Sequence, residues 1–183
     1  MTSPKKMQTA LRPTTGKVRE ALFNILRSST KNARFLDLYA GTGAVGIEAL
    51  TEGAAEAVFV EKNRECIKKL DKYIKKLGFS EKTNIVNRNV LSFIERAEMN
   101  NRTFDIIFLD PPYHEDEILH ALSAIDKSAI LGDNGIVIAE HFTKRQLPDK
   151  FDNLCKSRDY IYGDTVLSFY NKPSKTMNGV AND

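Results

Sequence analysis

The run Asp110-Pro111-Pro112-Tyr113 groups residue types that can hold an amine. Neither proline carries an amide hydrogen, and Pro111 confines Asp110 to an extended backbone, so the turn is stiff and its carbonyls are left to accept from a partner. The Asp110 carboxylate adds an acceptor, and Tyr113 adds an aromatic face for a flat ring. Such a set suits the exocyclic NH2 of a nucleobase. Both hydrogens are donated into the protein, the ring is clamped, and the nitrogen lone pair faces outward. An isolated D-P-P is more often a plain strand ending. The apolar run from Phe104 to Leu109 before it and the aromatic after it favour the functional reading.

A second constellation is Ala40-Gly41-Thr42-Gly43-Ala44-Val45-Gly46. Gly41 and Gly43 permit a tight turn and close approach of a ligand, and a following helix would offer its first amides there. Glu61 lies twenty residues beyond Gly41, the offset at which an acid ending the next strand accepts both ribose hydroxyls. Because Gly41-x-Gly43-x-x-Gly46 also matches the dinucleotide fingerprint, an NAD-dependent dehydrogenase is a competing reading. Asp37, four residues before Gly41, opposes it. A carboxylate there repels a pyrophosphate but can order water or accept from an amino acid's ammonium. S-adenosylmethionine carries such an ammonium and a positive sulfonium, and it has no phosphate. The loop at Asp110 also gives hydride transfer no obvious proton donor.

These residues need a frame of strands ending at one edge. After Arg12-Pro13, Thr14 or Thr15 can cap a helix with the apolar stripe Val18, Leu22, Ile25 and Leu26, while Lys17, Arg19 and Glu20 stay polar and 28–32 reads as a loop. A strand over 34–39, the glycine turn with a helix to about Glu52, and a strand over 57–60 make a βαβ unit. An amphipathic helix over 63–77 ends at Gly78. A short strand over 84–87 follows, with Asn89 and Val90 at its exit, where they can border an adenine, and then a helix over 91–98. Beyond 104–109 come a helix over 115–125, a strand over 135–140, a short helix or loop over 144–159, and two antiparallel strands, 160–162 and 165–170. The pattern predicts an α/β, Rossmann-like fold: a seven-stranded, mostly parallel sheet with a C-terminal antiparallel hairpin and helices on both faces. Residues 1–11 read as a basic irregular arm, 12–170 as one domain and 171–183 as a disordered tail.

At 183 residues, such a domain buries roughly two-thirds of its unfolded surface without disulfides or metal. There is no apolar run of membrane-spanning length and no apolar core of a signal peptide, so a cytoplasmic protein is expected. Cys66, Cys155, His114, His120 and His141 show no metal-ligand spacing, and no metal site is expected. Residues 1–35 hold eight Lys or Arg against the single acid Glu20, which leaves the rest of a chain of net charge +3 at −4. That asymmetry suits a polyanionic partner reached through the N-terminal arm.

Leu36-Asp37-Leu38-Tyr39-Ala40-Gly41-Thr42-Gly43 resembles motif I of class I S-adenosylmethionine-dependent methyltransferases, and Asp110-Pro111-Pro112-Tyr113 is similar to the [D/N/S]-P-P-[Y/F/W] motif of those that methylate exocyclic amines. More closely, the order Arg12-Pro13-Thr14, Val18-Arg19-Glu20-Ala21-Leu22-Phe23-Asn24, Leu36 to Gly43, Gly46-Ile47-Glu48-Ala49-Leu50, Phe59-Val60-Glu61, Phe104 to Tyr113 and Tyr162-Gly163-Asp164 resembles the bacterial 16S rRNA guanine-N2 methyltransferases of the RsmD type. Members of that family usually carry an extra basic strand region ahead of the Arg-Pro-Thr segment; here Met1 to Leu11 stands in that place. The resemblance implies S-adenosylmethionine as cofactor, held by Asp37, Tyr39, Gly41, Gly43, Glu61, Asn89 and Val90. It implies a target-amine pocket of Asp110, Pro111, Pro112 and Tyr113, with Arg12, Thr14, Thr15 and Arg19 on the substrate side. The implied substrate is 16S rRNA in an assembling small subunit. DNA adenine-N6 methylation is a rival within the same chemistry, though it calls for a separate target-recognition domain. A noncatalytic RNA-binding assembly factor on the same fold is the rival from another class.

Overall fold

A computed structural model describes residues 14–112 and 116–173. Thr15 caps the first helix, its side-chain oxygen accepting from the Val18 amide, and α1 (Gly16–Thr30) buries Val18, Leu22, Phe23 and Leu26. The helix runs through Ser28–Thr30, which the sequence had suggested as loop. The Thr30 hydroxyl is buried and donates to the Leu26 carbonyl, so a poor helix former is held in the last turn. There follow β1 (Arg34–Leu38), α2 (Ala44–Thr51), β2 (Glu56–Glu61), α3 (Arg64–Leu77), a 3-10 turn (Ser80–Lys82), β3 (Thr83–Asn87), α4 (Val90–Met99), β4 (Phe104–Leu109), α5 (Glu117–Lys127), β5 (Leu131–Phe142), β6 (Cys155–Tyr162) and β7 (Thr165–Asn171).

The seven strands form one sheet in the order β3-β2-β1-β4-β5-β7-β6. β1 to β5 are parallel, and β7 pairs antiparallel with both β5 and β6. Strand residues alternate between two cores, as the pleat requires. Phe35, Phe59, Phe108 and Ile138 pack under α1, α2 and α3, while Leu36, Val60, Leu109 and Val137 pack under α4 and α5. The C-terminal hairpin is longer than the sequence suggested. β6 starts at Cys155, inside the stretch read as helix or loop, because its exposed run Ser157–Asp159 hides the alternation. Asn171 closes β7 opposite Ile136 and Cys155, so pairing reaches one residue into the segment read as tail. Among the described residues, no helix is long and apolar enough to cross a membrane.

Candidate active site

The chain winds outward from β1 to β3, then returns to lay β4 against the other side of β1. That reversal opens a crevice beyond the carboxyl ends of β1 and β4, where open α/β sheets bind ligands. Leu38 pairs with Leu109, so the glycine turn and the Asp110 loop leave neighbouring strands at the same edge. By the pleat, Asp37, Glu61, Asp110 and Glu140 share the side of Phe35, Phe59, Phe108 and Ile138, and therefore face the helices α1–α3.

Asp37 is buried, and its Oδ2 accepts from the Gly46 amide at 3.0 Å. The sequence suggested a helix start with amides open to a ligand; here the protein's own carboxylate takes the anion position at the head of α2. Burial pushes Asp37 up to about 7, opposed by that amide and reinforced by Glu61. The glycines divide their work. A Cβ on Gly46 would lie 2.4 Å from Phe59 Cε1, and one on Gly43, where φ is +76°, 2.3 Å from Leu70 Cδ1. Gly41, at φ +54°, meets nothing closer than the Tyr39 carbonyl at 4.0 Å. Gly43 and Gly46 thus serve helix–sheet packing, and Gly41 alone borders open space.

Both Glu61 oxygens hold loops in place: Oε2 accepts from the Gly41 amide at 2.8 Å and Oε1 from the Asn63 amide at 2.7 Å. Carboxylate oxygens have further lone pairs for hydroxyl donors. Tyr39 leaves β1 in the left-handed region at φ +63°, a conformation that costs a non-glycine residue about 1 kcal/mol or more. It is half-buried, and burial beside Glu117 raises its phenol. Asn89 caps α4 by accepting from the Leu91 amide, while Val90 is buried in the core beneath α4 and α5.

Asp110, Pro111 and Pro112 are each partly buried. Burial, then the charge of Glu140, then that of Asp37 push the Asp110 carboxyl well above the usual range, to about 8. Sequence reasoning passed over Glu140, which lies near the carboxyl end of β5 as Asp110 lies just past the end of β4. Its Oε2 accepts from Thr14 Oγ1 at 2.6 Å. Thr15 is committed to capping α1, and Arg19 turns toward Glu48 on α2, with Nε 3.4 Å from Oε2. Arg19 lines a cleft of about 400 Å³ with Gly16, Glu20, Asn24 and Arg27. Arg12 and Tyr113 lie outside the described residues. Among the described residues, no three His, Cys, Asp or Glu side chains converge as ligands of a metal ion.

A crevice lined by four acids, with the head of its glycine-loop helix already holding a carboxylate, suits a cationic ligand and disfavours a pyrophosphate. Comparison with known proteins gives the family. The family model described as "Conserved hypothetical protein 95" matches residues 3–171. YlbH of Bacillus subtilis is 34% identical over 164 residues, spanning 90% of this chain and 89% of its own. Ribosomal RNA small subunit methyltransferase D of Escherichia coli K12 is 30% identical over 165 residues, spanning 90% and 81%. The solved structure of yhhF from Escherichia coli superposes with a TM-score of 0.79 at 31% identity, covering 88% of this chain and 87% of that one. The chain therefore belongs to the Conserved hypothetical protein 95 family, which is the family of the RsmD-type rRNA methyltransferases.

Proposed function

We propose that this protein uses S-adenosylmethionine to methylate the exocyclic N2 amine of a guanine in 16S rRNA, by direct in-line displacement, within an assembling small subunit. The observation that carries the reading is the in-register pairing of β1 with β4, which sets the glycine turn and the Asp110 loop side by side. Family membership and the name of the Escherichia coli relative support rRNA as the substrate class.

When bound, the cofactor supplies a methyl group on a sulfonium, a leaving group good enough that no covalent enzyme intermediate is needed. Asp37, Tyr39, Glu61 and the turn at Gly41 and Gly43 form the side of the crevice that would hold it, and Asn89 would border its adenine from the head of α4, whereas Val90 is buried in the core. The acids fit its ammonium and sulfonium charges, and Glu61 fits its ribose hydroxyls. Asp110 and the Pro111 carbonyl accept the two hydrogens of the guanine NH2. This draws the lone pair out of conjugation with the ring and gives the proton shed by the methylated nitrogen an acceptor. Tyr113 would stack on the base, splayed out of its helix. In this reading Arg12, Thr14, Thr15 and Arg19 would serve the RNA side of the site.

Two measurements test it. The melting temperature should rise with S-adenosylhomocysteine and not with NADH. Purified 30S particles incubated with radiolabelled S-adenosylmethionine should gain label that digestion recovers as N2-methylguanosine. A rise with NADH would restore the dehydrogenase reading, label in adenine of DNA would favour the N6 reading, and no label at all would leave an assembly factor.

A further inference from the structure

One acid at this edge is not used by the reaction as proposed. Glu140 comes one step beyond the Leu109–Ala139 pair, so it stands beside Asp110 on neighbouring parallel strands, which run about 4.8 Å apart. The two side chains share one face of the sheet. The Glu140 carboxylate also accepts the 2.6 Å bond from the Thr14 hydroxyl, joining positions 126 apart in sequence. Bonds this short between hydroxyl and carboxylate are charge-assisted and geometrically demanding. Thr14 is 7% exposed and immediately precedes the cap of α1. The bond therefore fastens the start of α1 to the edge that carries Asp110.

We propose that Glu140 is a positioning residue of the target-base pocket: through Thr14 it fixes the start of α1 beside the crevice, and through its charge it sets how strongly Asp110 accepts from the base. This rests on the amine-methylating reading above. Among the described residues, the charged groups facing Asp110 are Glu140 from β5 and Asp37 from β1. Glu61 from β2 faces Asp37 in turn, Glu117 from α5 faces Tyr39, and Arg19 of α1 is drawn aside by Glu48 of α2. Glu140 is the largest electrostatic contributor to Asp110 after burial. Two carboxyls so placed resist ionising together, and the one that does ionise is a stronger base and a better acceptor of N–H hydrogens.

Two substitutions separate the two roles. Glu140→Gln keeps an oxygen for the Thr14 hydroxyl and removes the charge; Thr14→Val removes the donor and leaves the charge. The Asp110 carboxyl is followed by carbon-13 NMR, its signal assigned with Asp110→Asn. Affinity for purified 30S particles is measured at fixed salt, together with kcat and KM for methyl transfer.

In Glu140→Gln the Asp110 midpoint should fall by about one pH unit and the pH profile of kcat/KM should follow it. Affinity for 30S particles should stay within about twofold, because the bond to Thr14 survives. In Thr14→Val the Asp110 midpoint should not fall, while affinity should drop and KM rise about fivefold, with kcat changed far less. Thr14→Ser, which retains the hydroxyl, should restore affinity. An unmoved Asp110 midpoint in Glu140→Gln, or unchanged 30S affinity in Thr14→Val, overturns the proposal. If Glu140→Gln does not fold, the Thr14 pair still decides. If the wild-type protein transfers no methyl group, the functional reading fails, yet NMR and affinity still judge Glu140.

Discussion

Asp105 and Asp110 stand at opposite ends of β4, and the protein treats them in opposite ways. At the amino end, Asp105 accepts from the Arg34 backbone amide at 2.8 Å and from the Arg34 Nε and Nη2 at 3.0 and 2.7 Å, while Arg34 Nη1 donates to Thr103. The guanidinium holds the Asp105 carboxyl below its ordinary value. At the carboxyl end, Asp110 faces two further carboxyls and is pushed up. One acid is neutralised where it ties β1 to β4, and the other is kept in a site that a cation or an N–H donor would relieve. A charge matched within the fold stabilises it, whereas one facing like charges costs stability when it ionises and gains only when a ligand arrives.

The largest effect should come from removing the acid at the crevice. Asp110→Ala should lower methyl transfer to 30S particles by about a thousandfold, within the range of acid–base and positioning residues. The affinity for S-adenosylhomocysteine, measured calorimetrically, should stay within about threefold. Wild-type turnover in this variant would erase the contrast between the two ends.

Next comes the glycine turn. Gly46→Ala presses a methyl group into Phe59 and should cost about 2 kcal/mol of stability in urea unfolding, as overpacking does. Gly41→Ala has space but a positive φ, and should cost about 1 kcal/mol, with a larger fractional loss of cofactor affinity. Equal losses at the two positions would mean that the turn is not divided between packing and binding.

That division was not legible in the motif, because G-x-G-x-x-G gives three glycines with no indication of which one meets Phe59. The strands β1, β2 and β4 were legible, since strands buried on both faces read as continuous apolar runs. So was the cap at Thr15, where a short polar side chain precedes an apolar period. The edge strand β6 was hidden by its polar run, and the last turn of α1 by serine and threonine whose helical state depends on a buried hydroxyl. Glu140 went unnoticed for a topological reason. Only the strand order sets β5 against β4, and that order is a property of the whole sheet.

The pH dependence of stability should also differ in sign between the two ends. Asp37 and Asp110 are raised in the folded state, so the native chain binds more protons than the unfolded one between about pH 4 and their folded values of about 7 and about 8. Their contribution therefore falls as pH rises through that window. Asp110→Asn should flatten the decline in melting temperature between pH 5 and pH 8, and saturating S-adenosylhomocysteine should lessen it. An unaltered slope in Asp110→Asn would place the titrating charge elsewhere.

The smallest effect belongs to the matched acid. Asp105 is lowered in the folded state, so its contribution is fully present above the ordinary carboxylate value of about 4 and is lost only as pH falls through the lowered one. Its side chain and that of Arg34 are 42% and 41% exposed, which screens the pair. Asp105→Asn should cost about 1 kcal/mol at pH 7, and the difference from wild type should shrink below about pH 4. Methyl transfer and cofactor affinity should not change, because this end of β4 lies a full strand length from the crevice. A loss of turnover in Asp105→Asn larger than its loss of stability explains would mean that the two ends of β4 are coupled, and that the acid at the amino end helps to hold the Asp110 loop in register.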